Sequence, residues 1–384
     1  MLAKEHSSNE TPAGRRALGV GIIGGGSVMW AYLDALDRLV ARGHCVAGPV
    51  CARRRENWPN LLARRPGLKL VADVAAVVES DVKIVLILTP PHSHPGLIRL
   101  ALEQGKHVVV EKPFAPSPAV GRELADLAAA KGLLLLCAPF VQLAPTFRAL
   151  WRRIQHGEIG QIHSARGLYG NAGSRVLWHH QGEGPPLSEK GIYNLKSLTT
   201  LLGPAVEILA AEATAVVPRR VGETVIDKPD HDVSHIILRH ESGALSSIVS
   251  SNAIQKYRRP GLEIYGTQGT ANLLGDDWDP RGFQIWRNQS QRWEEYEPVE
   301  GTWHWTDGLR EAVLALSEDR APLADIGQDI HILELIEAAH EAAVNRVAVC
   351  VTSRFQPLER GWREFGGQPA HAHVHDHTRP EDEQ

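Results

Sequence analysis

One stretch near the start constrains the fold more than any other. Gly21-Ile22-Ile23-Gly24-Gly25-Gly26-Ser27-Val28-Met29 joins an apolar run, Leu18 to Ile23, to a segment with helical spacing of apolar residues from Ser27 to Arg42. A glycine-bounded apolar run reads as a buried parallel strand. A strand that turns through glycines directly into a helix presents the helix N-terminus, with its unpaired N–H groups, to an anion. Gly24 permits the tight turn, and Gly26 lets a pyrophosphate approach the backbone ahead of Ser27 and Val28. Met29 stands where the third small residue of the pattern is usual, which predicts looser helix-to-strand packing at that point. The competing reading is an ordinary turn; the strand-turn-helix setting favours a dinucleotide.

The rest of the first 140 residues continues the alternation. Strand candidates are Val46 to Cys51 (with Pro49 against it), Val82 to Leu88, His107 to Val110 and Leu133 to Cys137. Helix candidates are Pro95 to Gln104 and Ala119 to Lys131, stopped by Gly105 and Gly132. This predicts an α/β fold whose first part, residues 17–140, is a doubly wound parallel sheet. From about residue 141 to 365 the texture changes. After a linking helix, Thr146 to Gln155, period-two segments such as Val233 to Arg239, Ala244 to Val249 and Leu262 to Tyr265 are joined by turn sequences. They predict an open, mainly antiparallel sheet with a helix over Lys190 to Leu202, and two further helices near Thr306 to Glu318 and Gln328 to Val344. Residues 1–16 and 366–384 are polar, the latter rich in histidine, and read as disordered tails.

Composition narrows the partners. With 41 basic and 45 acidic side chains the formal net charge is -4, so nothing in the charge balance points to nucleic acid or an anionic membrane. No window is long and apolar enough for a membrane span. Cys45, Cys51, Cys137 and Cys350 have no metal-ligand spacing, which fits a reducing cytoplasm and no disulfide framework. No metal site is expected. Arg15-Arg16 invites an export reading, but the apolar segment after it carries the glycine motif and must stay in the fold.

About twenty residues past the glycines, where an acid would accept from a ribose 2′-hydroxyl, stands Cys51-Ala52-Arg53-Arg54-Arg55. Guanidinium forks suit a 2′-phosphate, so NADP is preferred over NAD, with Ala52, Arg53 and Arg54 as contacts. Three solvated arginines are the alternative. Two more motifs lie at the ends of parallel strands, where ligands of such sheets bind: Thr89-Pro90-Pro91-His92-Ser93-His94-Pro95 and Gly105-Lys106-His107-Val108-Val109-Val110-Glu111-Lys112-Pro113.

These motifs, at these intervals, resemble the glucose-fructose oxidoreductase, inositol dehydrogenase and MocA-like family over roughly Gly19 to Phe355. The resemblance implies a Rossmann domain followed by an α/β domain with a large open sheet. It also implies hydride transfer between NAD(P) and a hydroxyl carbon of a sugar, inositol or related polyol. Lys112 matches the family's catalytic lysine, Pro113 a proline that is typically cis, and Glu111 a position near the nicotinamide ribose. Thr89, Pro90, His92 and His94 fall in the loop that borders the cofactor. Gly182 to Tyr193 resembles a second-domain segment in which Glu189 replaces the usual Asp and Tyr193 replaces His or matches Tyr.

The chemistry is coherent. An oxidised alcohol loses a proton as hydride leaves, and a lysine with a burial-lowered pKa can take it. A tyrosine hydroxyl can orient the substrate oxygen. Glu189 can bind another hydroxyl or hold the lysine, and its four-residue offset puts it on one helical face with Tyr193. Tyr169 and Trp178 are further substrate-contact candidates, since aromatic faces stack on sugar rings, and Arg175 is one for an acidic substrate. Asp277-Trp278-Asp279-Pro280 reads as a structural turn. Two other functions stay open on this architecture: a glycosidase that oxidises, eliminates and re-reduces with bound NAD, and a non-catalytic nucleotide or sugar sensor. The uncovered sheet face predicts a homo-oligomer.

Overall fold

A computed structural model describes residues 17–173, 177–180, 185–258, 260–299 and 305–358, without the side chains of Trp178 and His179. The first part is a six-stranded parallel sheet. Its strands are β1 (Leu18–Ile23), β2 (Cys45–Cys51), β3 (Leu70–Val71), β4 (Ile84–Ile87), β5 (His107–Val110) and β6 (Leu135–Cys137), in the order β3-β2-β1-β4-β5-β6. The order reverses beside β1, and ligands of such sheets bind at that switch point. The helices are α1 (Met29–Ala41), α2 (Trp58–Arg64), α3 (Ala75–Val78), α4 (His94–Glu103) and α5 (Pro118–Ala130). β2 spans Pro49, but its register against β1 shifts between Ala47 and Val50, so the proline sits at an irregularity of the pairing. The expected loose packing at Met29 is corrected. Its side chain is fully buried in one cluster with Val20, Ile22 and Leu33, so an unbranched thioether fills the space a smaller residue would leave.

The second part opens with α6 (Pro145–Gln155). A nine-stranded sheet then forms from β7 (Ile162–Gly170), β8 (Ala205–Ala213), β11 (Val233–His240), β12 (Leu245–Ser251), β13 (Leu262–Gly266), β14 (Gly269–Asp276), β15 (Asp279–Arg287), β16 (Arg292–Tyr296) and β17 (Val349–Cys350). A small hairpin, β9 (Arg219–Val221) and β10 (Thr224–Ile226), stands apart. The large sheet runs β16-β15-β14-β13-β7-β12-β11-β8-β17, all antiparallel except β7 with β12. Alternation is strict along β11: Ser234, Ile236, Leu238 and His240 are buried, while His235, Ile237 and Arg239 are exposed. The inner face packs under α6, α7 (Ile192–Leu202) and α9 (Ile326–Asn345).

The two sheets are tied together by the C-terminal helices. α8 (Gly308–Glu318) places Leu309, Ala312 and Val313 in the core around α1. α9 sends Ile330 and Leu333 into the first core and Ile332, Leu335 and Ala339 into the second. A boundary at 140/141 therefore separates the sheets but not the cores. The two tails lie outside the described residues.

Candidate active site

The glycine turn closes on β2 and β4. Gly24 has φ +124°, and its N–H donates to Cys51 O at 3.0 Å. A side chain there would start 2.8 Å from the Leu88 carbonyl, so only glycine fits. Around Gly26, by contrast, there is open space, the approach a pyrophosphate needs. The cleft so formed has a volume of about 430 Å³ and is lined by Gly24, Gly25, Gly26, Ala52, Arg53, Arg54, Thr89 and Pro90 among others. Arg53 and Arg54 are exposed and border it, while the Arg55 guanidinium sits over the Trp58 ring, 5.6 Å from its centroid. The Trp58 indole N–H donates to Ala52 O at 2.8 Å and fixes the end of β2. Glycine backbone and a helix start beside open space fit a dinucleotide.

Beside the cleft, β5 delivers the second group of residues. Glu111 N–H donates to Ile87 O at 3.0 Å, so the lysine peptide lies next to the strand whose following residues line the cleft. The Lys112–Pro113 peptide is cis. Lys112 Nζ donates to Glu189 O at 2.7 Å and lies 5.5 Å from the centroid of the Tyr193 ring. Burial pushes the Lys112 pKa below that of a free lysine, against the upward pull of the Glu111 and Glu189 carboxylates. Burial likewise keeps Tyr193 protonated far above neutral pH, helped by the charge on Glu111. Tyr169 meets Tyr193 edge to face, with centroids 5.8 Å apart. A low-pKa amine, a phenol held neutral and a second aromatic face thus converge at the end of β5, the neighbour of the strand that leads into the cofactor cleft.

The expected role of Glu189 changes in detail. Residues Leu187–Gly191 form a π-helical turn rather than the start of an α-helix. The Glu189 carboxylate pairs with Lys190 Nζ at 2.6 Å, and it is the backbone carbonyl of Glu189 that holds Lys112. His94 also differs from a cofactor contact. Its ring is wholly buried, with Nε2 2.7 Å from Thr89 O and Nδ1 2.8 Å from Pro113 O, so it clasps the β4 loop to the peptide after β5. His92 is exposed in the same loop. No group of metal-ligating side chains is assembled among the described residues. Ser27 and Val28 form the turn into α1 and are not among the residues lining the cleft. Arg175 and the Trp178 side chain lie outside the described residues.

Three residues escaped sequence reasoning. Tyr32 of α1 donates to Glu111 Oε1 at 2.8 Å. Asp277, read as part of a turn, does lie in the turn between β14 and β15, but its carboxyl is also buried and accepts from Asn194 Nδ2 and Ser197 Oγ, each at 2.9 Å. Asn57 lines the cofactor cleft. Tyr32 carried no usable signal, since a tyrosine in an apolar helical stripe reads as core; the isolated acid of Asp277 reads as a turn.

Comparison with known proteins agrees with this arrangement. Residues 18–138 match the model of the GFO/IDH/MocA oxidoreductase family, NAD-binding Rossmann fold, and residues 147–272 match the GFO/IDH/MocA C-terminal domain. A trans-1,2-dihydrobenzene-1,2-diol dehydrogenase of Oryctolagus cuniculus is 29% identical over 206 residues, which are 53% of this chain and 59% of that protein. The chain thus spans little more than half the length of that relative. Among solved structures, an aldose-aldose oxidoreductase from Caulobacter crescentus complexed with glycerol superposes with a TM-score of 0.75 at 20% identity, over 88% of this chain and 100% of the other. A levoglucosan dehydrogenase in complex with NADH and levoglucosan gives 0.76 at 20%, with the same coverage. At such identity these structures establish the fold.

Proposed function

The chain belongs to the GFO/IDH/MocA family of NAD-binding oxidoreductases, and from that premise we propose that it transfers hydride between NADP, or less favourably NAD, and a hydroxyl carbon of a sugar, inositol or related polyol. The observation that carries the reading is Lys112: an amine of lowered pKa, fixed by the Glu189 carbonyl, beside Tyr193 and next to the dinucleotide cleft. The bound nicotinamide supplies a two-electron acceptor for the hydride. In the oxidising direction the alcohol O–H proton passes to Lys112 Nζ as the C–H bond breaks and the carbonyl forms. Tyr193, neutral and therefore a donor, orients the substrate oxygen, and Tyr169 offers an aromatic face to the ring. In the reverse direction Lys112 returns the proton. Arg53 and Arg54 hold the 2′-phosphate.

The large sheet's outer face exposes Leu209, Ile237 and Leu245, which supports a homo-oligomer through that face. Among the described residues, no helix is long and apolar enough to cross a membrane. All four cysteines are free thiols, in keeping with a cytoplasmic enzyme.

The test is calorimetric titration of nucleotide-stripped protein with NADPH and NADH, followed by a polyol and keto-sugar screen of the wild type beside Lys112→Ala. Saturable NADPH binding with turnover lost in the variant is expected. Binding without turnover on any polyol would leave a sensor, and absence of both would remove the dinucleotide reading.

A further inference from the structure

The reading above uses Glu111 and Lys112 but leaves unexplained why a polar hydroxyl sits at the bottom of the first core. Tyr32 is wholly buried in α1. Its ring takes an edge-to-face contact from Trp305, with centroids 5.6 Å apart and planes at 85°. Its hydroxyl has one clear duty, the 2.8 Å hydrogen bond to Glu111 Oε1. The other oxygen, Oε2, accepts the Lys112 backbone N–H at 3.2 Å. A carboxylate held by one donor on each oxygen cannot rotate without losing both. Glu111 is thus fastened at its two ends, one to a helix of the first domain and the other to the peptide of the lysine itself.

We infer that Tyr32 is a positioning residue: by donating to Glu111 Oε1 it fixes the orientation of that carboxylate and draws on its charge, and so limits how strongly the carboxylate favours the Lys112 ammonium. This rests on the proposed role of Lys112. Around Lys112 Nζ stand Glu111 from its own strand end, Glu189 and Lys190 from the π-helical turn, Cys137 from β6 and the ring of Tyr193 from α7. Glu189's carboxylate is engaged by Lys190. Of the two acids, Glu111 exerts the larger pull toward the ammonium form, and Tyr32 is the side chain that fixes its carboxylate. Freed from the phenol, the carboxylate carries its full charge and can turn, and its pull on the Lys112 ammonium increases.

The variant is Tyr32→Phe, which removes one oxygen and keeps the ring and its contact with Trp305. The readout is the pH dependence of amine acylation at Lys112 in the intact protein, followed by peptide mass spectrometry, which needs no turnover. The Lys112 midpoint is expected to rise by about half a unit or more in Tyr32→Phe. In the Glu111→Gln background, adding Tyr32→Phe is expected to leave the midpoint where Glu111→Gln puts it, because the effect runs through the carboxylate. With an active substrate, the alkaline-rising limb of kcat moves by the same amount. Trp305→Phe, which keeps the hydroxyl, is the structural control and leaves the midpoint in place. Coincident titrations of wild type and Tyr32→Phe, or a midpoint moved downward, overturn the inference. A Lys112 midpoint that shifts as expected in a protein inert to every polyol would sink the polyol reading and leave the positioning role standing.

Discussion

The cofactor cleft and the lysine pocket are supplied by two neighbouring strands, β4 and β5, yet they are built in opposite ways. The cleft is made of backbone: three successive glycines, a helix start, and arginines that stay in solvent. Little in it is buried and charged, so it demands little of the rest of the fold. The pocket is made of ionisable side chains drawn out of water. Lys112, Glu111, Glu189, Lys190, Tyr193 and Asp277 come from segments up to 166 residues apart (Glu111 to Asp277); the charges of Glu111, Glu189 and Lys190 act on the protonation of Lys112, and those of Glu111, Asp277 and Glu189 on that of Tyr193. A site that binds by shape can be exposed and local. A site that moves protons needs perturbed groups, and perturbation requires burial, which only distant parts of the chain can supply.

The largest expected effect tests whether the two regions are separable. Lys112→Ala removes the base, whose amine meets Glu189 O and the Tyr193 ring, and leaves every residue that lines the cleft in place. Turnover is expected to fall about 100- to 10,000-fold, while the calorimetric affinity for NADPH stays within about threefold. A loss of both together would show that the pocket and the cleft act as one unit and would break the comparison.

A second test addresses the strain held in the pocket. Burial raises the Asp277 carboxyl from its ordinary value to about 7, against the hydrogen bonds from Ser197 and Asn194 that favour its charged form. Its folded pKa thus lies above the unfolded one. The folded state binds the proton more tightly, so the stabilisation is complete below about pH 4 and is lost as pH rises through about 7. Asp277→Asn cannot ionise. At pH 4 its stability is expected to be close to that of the wild type. At pH 8 it is expected to exceed the wild type by about 2–4 kcal/mol, read from chemical denaturation at the two values. Parallel stability curves at both pH values would show that the wild type bears no such burden and that the pocket is no more strained than the cleft.

The same contrast governs what the sequence discloses. The cleft is legible because its parts are neighbours in the chain: strand, turn and helix from Leu18 to Ala41 form a motif that geometry alone makes recognisable, and the arginines follow at the end of the next strand. Lys112 and Tyr193 were readable through the resemblance of EKP and the Gly182 to Tyr193 segment to a family, and the structure brings them together. What stayed hidden depends on contacts across long separations. Tyr32 reaches Glu111 over 79 positions. The Asp277 carboxyl meets Ser197 over 80. Glu189 followed by Lys190 reads as a solvated pair at a helix start, and only the π-helical turn shows that the carboxylate spends itself on Lys190 while the carbonyl holds Lys112.

The smallest expected effect falls on the exposed side. If the cleft binds by shape and the arginines only add charge recognition of the 2′-phosphate, then Arg53→Ala and Arg54→Ala together weaken NADPH and leave NADH almost unchanged. Charge-assisted hydrogen bonds to phosphate are worth about 1.5–3 kcal/mol, reduced here because both side chains remain in water. The expected loss is roughly tenfold in NADPH affinity, smaller at high salt, with no change in the thermal midpoint, since nothing buried is disturbed. Titrations of both nucleotides at low and high ionic strength measure it. Equal weakening of NADPH and NADH would mean that the arginines serve the pyrophosphate or the loop rather than the 2′-phosphate, and the preference for NADP would lose its basis. A fall in the thermal midpoint would show instead that the exposed rim carries structural weight, and the cleft would then resemble the pocket more closely than its open construction suggests.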